Sequence, residues 1–304
     1  MQSRKSGASL ILISAVLWGM GGIAGQLVYE GSDITTPFLI EIRMLFSGII
    51  LTVIALKSDG KKIFNIFKVK NELSIFLFYS IMGNFLVQYS YFEAVQYSNG
   101  ATATLLQYIS PTMVMLIIAV NKRQAPDKIQ IICVFLALLG LFLISTHGSV
   151  SSLSISYEAL LWGLISAAAL SINNIAPVCL LKKYGSCAVV GLAMLTGALI
   201  TQLIFNPFAQ SYEISPKIWG IIMFILIFST TIPFAAFLYG IKIVGSTTGS
   251  ILSNIEPLTA SLVSILFLNA KVTGFDLTGF CLIIGVAVVL TLCDNAKNRL
   301  QKIT

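Results

Sequence analysis

Ten apolar runs of bilayer-crossing length occupy almost the whole chain, and the segments between them are too short to fold by themselves. They fall at about residues 7–28, 34–56, 73–95, 98–119 and 129–146, then at about 157–181, 187–206, 218–241, 246–268 and 274–293. Each is roughly 20 residues long, enough to cross ~30 Å of hydrocarbon as an α-helix. Lipid offers backbone amides no partners, so such runs are expected to be helical. Only 10% of the 304 residues are charged while 57% are hydrophobic. Soluble domains carry about a quarter charged residues, and a water-soluble core of this length could not hide so much apolar surface. The expected fold is an all-α integral membrane protein with ten transmembrane helices. The charged N-terminus could open a signal peptide, but its apolar run continues to Val28 and further spans follow at once. It reads as the first membrane helix.

Lysine and arginine set the orientation. With the N-terminus inside, sixteen of the 19 basic residues fall in cytosolic segments, among them Arg4, Lys57, Lys70, Lys128, Lys183 and Arg299. Lys217 and Lys271 fall outside, and Arg43 lies within a span. The positive-inside rule then predicts both termini in the cytosol. The net charge of +7 is a topogenic signal. The basic residues are scattered over separate loops with no binding module, so nucleic acid is not an expected partner. The five cysteines, Cys133, Cys179, Cys187, Cys281 and Cys293, lie in apolar runs or at cytosolic ends. They read as small apolar fillers, without the paired exported cysteines of a disulfide framework.

The chain also repeats. Gln88–Val120 can be laid on Phe234–Leu266 at an offset of 146, which brings Ser110-Pro111 onto Glu256-Pro257 and Ala101–Thr104 onto Thr247–Ser250. The expected organisation is a first repeat over residues 1–146, an outer connection over 147–156, and a second repeat over 157–304. Five spans per half is an odd number, so the second repeat is expected upside down relative to the first. Inverted repeats of this kind are characteristic of transporters, with the substrate site near the midplane between the halves.

Pro111 and Pro257 are helix breaks. Each removes the hydrogen bond that would reach the carbonyl four residues earlier, on Gln107 or Ser253. Such a carbonyl at membrane depth needs a partner, supplied by a neighbouring helix or a polar cavity. Four ionisable residues lie well inside spans: Glu41, Arg43, Glu93 and Glu256. Intramembrane charges are functional candidates. Glu41 and Arg43 are about 200° apart around one helix and cannot face each other directly. Arg43 is expected to meet a carboxylate of another helix or an anionic substrate group. For Glu256 a proton, a substrate amine and Arg43 are the three candidate partners. Glu93, close to the outer end of its span, is either a functional group or merely interfacial. The remaining cavity candidates are Trp18, Tyr79, Asn84, Gln88, Tyr91, Gln107, Tyr108, Asn173, Tyr239 and Asn254. Ligand pockets combine aromatic walls with a few such polar groups. Asn84, Gln88 and Tyr91 recur at i, i+4 and i+7, a single polar stripe that should face a cavity or neighbouring helices.

The elements LISAVLWGMGG, FLIEIRMLFSGIIL with Arg43, YFEAVQYSNGATATLLQYISPTMVML and LYGIKIVGSTTGSILSNIEPLTASLVSIL resemble those of the EamA-type transporters of the drug/metabolite transporter superfamily. The resemblance covers essentially the whole chain, and its order, spacing and duplication carry it. It implies a ten-helix, alternating-access carrier of the bacterial inner membrane with a central cavity, moving amino acids, other metabolites or drugs, often outward. One departure stands out. The family commonly places an acidic residue just after the fourth and ninth helices, where this chain reads AVNKRQ and FLNAKV. If that residue takes part in coupling in relatives, protons as the coupling ion are in question here.

The leading expectation is a carrier, an exporter of small organic metabolites such as amino acids, with a multidrug or organic-cation exporter of the same fold as the alternative. An integral membrane enzyme is disfavoured: the sole histidine, His147, lies in an outer loop, and no metal cluster, phosphate loop or nucleophile motif accompanies it. Neither a cofactor nor a metal is expected. The expected partners are a small-molecule solute, the lipid bilayer and protons as a candidate coupling ion.

Overall fold

A computed structural model of the chain describes residues 4–122, 128–146, 155–244, 249, 252–253, 255–268 and 272–300. The expected cavity residue Asn254, the outer-loop residue His147 and the basic residues Arg123 and Lys271 lie outside the described residues. No strand occurs among those described. The protein is all-α. Among the described residues, six helical stretches are long and apolar enough to cross a membrane: Lys5–Gly31, Thr36–Phe67, Lys70–Tyr97, Tyr157–Ile175, Ser186–Phe205 and Pro216–Ile241. Shorter apolar helices cover Ile131–Leu143, Ile255–Leu268 and Gly274–Val286.

In chain order, helix α1 is Arg4–Gly31 and α2 is Thr36–Asp59, extended by a 3₁₀ segment at Gly60–Phe67. Helices α3 (Lys70–Phe78) and α4 (Leu86–Tyr97) are joined without a break by a π-helical segment, Tyr79–Phe85. Then come α5 (Gly100–Gln107), α6 (Ser110–Lys122), α7 (Lys128–Thr146), α8 (Tyr157–Ile175), α9 (Val178–Tyr184) and α10 (Ser186–Phe205). Helices α11 (Pro216–Leu226) and α12 (Ile232–Val244) are joined by a second π segment, Ile227–Thr231. Helices Ile255–Leu268 and Gly274–Leu300 complete the described chain. Several starts are written locally. The Asn99 side chain accepts from the Thr102 amide at 2.8 Å and the Ser156 hydroxyl from the Ala159 amide at 3.1 Å, while Pro216 follows the Ser215 cap.

Two expected spans prove to be broken rather than continuous. The run at 98–119 is two helices, α5 and α6, and Pro111 is the second residue of α6 rather than a kink in mid-helix. Proline disfavours helical geometry in the residue before it but is pre-organised for a first helical turn, so the chain restarts there. Pro177 divides the run at 157–181 in the same way, into α8 and α9.

The main core gathers Leu39, Ile40, Met44 and Leu51 of α2 with Phe92, Val190, Met194, Ile222 and Ile225. Helices α2 and α10 approach closely through small residues. A Cβ on Gly48 would lie 3.0 Å from the Leu195 amide nitrogen, and one on Gly191 would lie 2.8 Å from that of Thr52. Small residues at such crossings let backbones meet and gain dispersion contacts, which drive helix association in lipid. Large apolar side chains such as Val120 (76% exposed) and Phe267 (74%) point outward, as a surface that faces hydrocarbon requires.

Candidate functional site

Helix α1 is the element around which the polar interior is assembled. A Cβ on Gly19 would lie 2.6 Å from the Glu256 carbonyl oxygen, and one on Gly100 would lie 2.6 Å from the Gly22 carbonyl oxygen. The backbones of α5 and of the Ile255–Leu268 helix therefore press against one face of α1, where any side chain would hold them apart. That approach brings Tyr108 to the second proline break. Its hydroxyl donates to the Ser253 carbonyl at 2.8 Å, the group that Pro257 deprives of its helical partner. A neighbouring helix, rather than an open cavity, thus satisfies this carbonyl. The same hydroxyl is 3.5 Å from Glu256 Oε2. Because it carries one proton, already committed over the shorter distance, the Glu256 contact is weak.

Arg43 enters the interior from α2. Its Nε donates to Thr230 Oγ1 at 2.6 Å, and its guanidinium carbon lies 4.9 Å from the centroid of the Phe92 ring. Thr230 sits in the second π segment and donates its own proton to the Ile225 carbonyl five residues back at 2.9 Å; Thr231 does the same with Leu226 at 2.8 Å. These bonds hold the threonine side chains against the helix, and the Thr230 hydroxyl oxygen is thereby positioned for Arg43. Tyr29, Tyr91 and Glu256 lie within electrostatic reach of the guanidinium. Arg43 and Glu256 nevertheless form no ion pair. Within 4.0 Å the described residues contain one, Lys183 Nζ to Glu72 Oε1 at 2.5 Å, where the Tyr184 hydroxyl also donates to Glu72. A buried cation and a carboxylate share one interior, and neither neutralises the other in direct contact.

The stripe on α3–α4 is equally distinctive. Asn84 (3% exposed) and Gln88 (7%) are buried, yet Asn84 Oδ1 and both polar atoms of Gln88 lack a hydrogen-bond partner. Ser80 Oγ and Asn173 Oδ1 are in the same position. A Cβ on Gly83 would lie 3.1 Å from Asn173 Cα, so α8 lies directly against the first π segment at this level. Each unpartnered buried polar group costs about 1–3 kcal/mol, so such a concentration calls for an explanation. Glu41 on α2 is another buried residue, 4% exposed, with Oε2 unpartnered.

The other expected site residues divide. Tyr91 shares a hydrogen bond with Thr104 at 2.9 Å, and Gln107 donates to Ser166 Oγ at 2.7 Å, so both are tied into the helix packing. Trp18 packs on Phe234 and Phe237 with centroids 5.3 and 5.0 Å away. Tyr79 is buried against Asn84, while Tyr239 is 48% exposed on α12. Glu93 is buried beside Thr36 and Tyr89. Thr230, Thr231 and Ser166 were not expected. A separate cavity of about 530 Å³ opens between the ends of α1, α2 and α4 remote from the lysine-rich loop at 57–70, lined by Gln26, Tyr29, Glu30, Asp33 and Gln96 among others. None of the expected site residues lines it.

The described residues build an all-helical chain with a polar, partly unpaired interior. The profile of the EamA-like transporter family matches it over residues 5–146 and again over 158–292. The chain belongs to the EamA-like transporter family. It is therefore a membrane transporter, whose partners are a small-molecule solute and the surrounding lipid. It is 34% identical over 299 residues to the uncharacterized inner membrane transporter YicL of Salmonella typhimurium, covering 98% of this chain and 99% of that one. The riboflavin transporter ImpX of Fusobacterium nucleatum is 28% identical over 149 residues, 48% of each chain. A solved crystal structure shares the fold with a TM-score of 0.61 at 20% identity, covering 96% of this chain and 98% of its own. Family membership accounts for the helical architecture; the residues of the interior must account for the solute.

Proposed function

We propose that this EamA-family protein is an alternating-access carrier of small zwitterionic organic solutes such as amino acids, working as an exporter. The observation that carries this reading is the pair Arg43 and Glu256, opposite charges within electrostatic reach of one another in one interior and without direct contact. A solute with a carboxylate and an amine can satisfy both. Intramembrane charges are costly without such a partner, and Tyr91 lies within electrostatic reach of both groups, Tyr108 within reach of Glu256.

The carrier works as two inverted five-helix repeats with ten spans and both termini cytosolic. Support comes from the two π segments, which end at Phe85 and Thr231, the same 146-residue step that relates Pro111 to Pro257. In this reading the basic end is the closed one, and the cavity at the opposite end is not lined by Arg43 or Glu256. A cavity opens at the end remote from the basic loops, and the Glu72–Lys183–Tyr184 contacts tie α3 to α9 at the basic end. Rocking of the halves would exchange one opening for the other.

The test is uptake into proteoliposomes of an amino-acid panel beside the corresponding N-acetyl acids and methyl esters, each of which lacks one charge. Parent amino acids are expected to be taken up and both derivatives to lose uptake at least about tenfold. Arg43→Met and Glu256→Gln should relax discrimination against the ester and the N-acetyl acid respectively. Derivatives that enter as well as their parents refute the zwitterion reading, and esters preferred over parents point to an organic-cation exporter instead.

A further inference from the structure

Helix α4 connects the charged centre to the unpaired amides. Gln88 and Tyr91 are one turn apart on one face, and the whole stripe from Asn84 to Tyr91 covers about 10 Å along the helix axis. Tyr91 is the member within electrostatic reach of Arg43 and Glu256. Gln88, a turn away, has both a donor and an acceptor buried and unmatched, and the flanking groups Asn84 Oδ1, Asn173 Oδ1 and Ser80 Oγ are unmatched as well. Asn84, Gln88 and Ser80 are each more than nine-tenths buried. Packing alone would put leucine or alanine at such positions. No charged side chain is part of this cluster, so it does not select an ion. A side-chain amide with both its donor and its acceptor unused matches a group that presents an acceptor and a donor side by side: a primary carboxamide, or the imide edge of a heterocycle.

We infer that Ser80, Asn84, Gln88 and Asn173 form a second, neutral subsite that binds the carboxamide or cyclic imide of the transported solute. The inference rests on the carrier reading above. It deepens that reading from zwitterions in general to those whose side group ends in an amide one helical turn from the charged head. The first π segment is the reason the subsite exists. Its register places Ser80, Asn84 and Gln88 on the inner face of one continuous helix, with Gly83 allowing α8 to deliver Asn173. π segments are frequent at functional sites.

The experiment compares uptake of L-glutamine, of L-norleucine (similar in length, without the amide) and of uridine, an imide without a zwitterionic head, by full-length protein and by Gln88→Leu and Asn84→Leu in proteoliposomes. Thermal stability of each variant is measured in parallel. Wild type should prefer glutamine over norleucine by about tenfold or more, and both variants should abolish the preference while still carrying norleucine. Removing the wholly unmatched amide of Gln88 should leave melting temperature unchanged or raised, whereas Asn84 also hydrogen-bonds Tyr79, so its variant is judged on the preference alone. A wild-type preference for uridine supports the subsite and overturns the zwitterion reading. Glutamine and norleucine carried equally by wild type, or variants that melt lower and keep the preference, overturn the subsite, since the amides are then structural. If none of the three solutes moves, the subsite fails, and the carrier reading is then judged by the derivative panel.

Discussion

The bond between Tyr108 and Ser253 allows a sharp test of how the proline break is held. Pro257 has no N–H to give the Ser253 carbonyl, and the Tyr108 hydroxyl takes over at 2.8 Å. Tyr108→Phe keeps the ring and removes the donor. The carbonyl is left buried and unmatched, which costs about 2 kcal/mol, within the usual range of about 1–3. At about 2–4 °C per kcal/mol for a chain of this size, the melting temperature in detergent should fall by about 4–8 °C. In a Pro257→Ala background the alanine N–H can reach the Ser253 carbonyl along the helix, so the tyrosine is redundant there. Tyr108→Phe should then cost under about 0.5 kcal/mol, giving a coupling energy of about 1.5 kcal/mol between the two sites. The 3.5 Å contact with Glu256 is lost in both backgrounds and cancels from the cycle. Equal losses in the two backgrounds would refute the account and assign the role of Tyr108 to Glu256 or to packing.

The remaining predictions concern separate elements. Gly100→Ala places a Cβ 2.6 Å from the Gly22 carbonyl oxygen, a backbone atom with no rotamer to yield; overpacking should lower stability by about 1–3 kcal/mol, read as melting temperature. Thr230→Val removes both the cap on the Ile225 carbonyl and the acceptor for Arg43 Nε; uptake should fall at least as far as with Arg43→Met, whereas Thr231→Val, whose side chain contacts Ser47 at 3.0 Å instead, should be milder. Glu72→Gln removes the ion pair to Lys183 at the basic end. Because Lys183 is exposed, stability should barely change. A cysteine placed near Tyr184 should, however, be labelled faster by a membrane-impermeant thiol reagent from the basic side, and unchanged labelling would dismiss the contact as a latch.

The apolar, helical character of the chain and its polar stripe were readable from sequence, because both depend only on local composition and spacing. Asn84 and Gln88 are both buried, as the i, i+4 pattern requires, and Arg43 takes its hydrogen-bond partner from the second π segment rather than from Glu41. The breaks were read less well. Pro111 suggested a kink within one span, but whether a proline bends a helix or begins a new one depends on what packs around the preceding residues. Here a restart leaves Ser110 and Ser171 hydroxyls 3.1 Å apart. The acceptor for Arg43 lies 187 residues away, and no local pattern announces such a pairing.

The repeat itself held that information. Moving Asn84 forward by the 146-residue offset lands on Thr230, and Phe85 lands on Thr231, so the two π segments put their most important polar groups at matching places. What the halves do with those places differs. In the second, both threonines donate to carbonyls of their own helix and Thr230 accepts from Arg43, so its one proton and its position are committed. In the first, the amide at the matching place and its neighbour a turn later stay unmatched. A symmetric chain would spend both bulges on packing or both on ligand. One anchored and one open is what a carrier needs when its solute has a charged end to be gripped and a neutral end to be read.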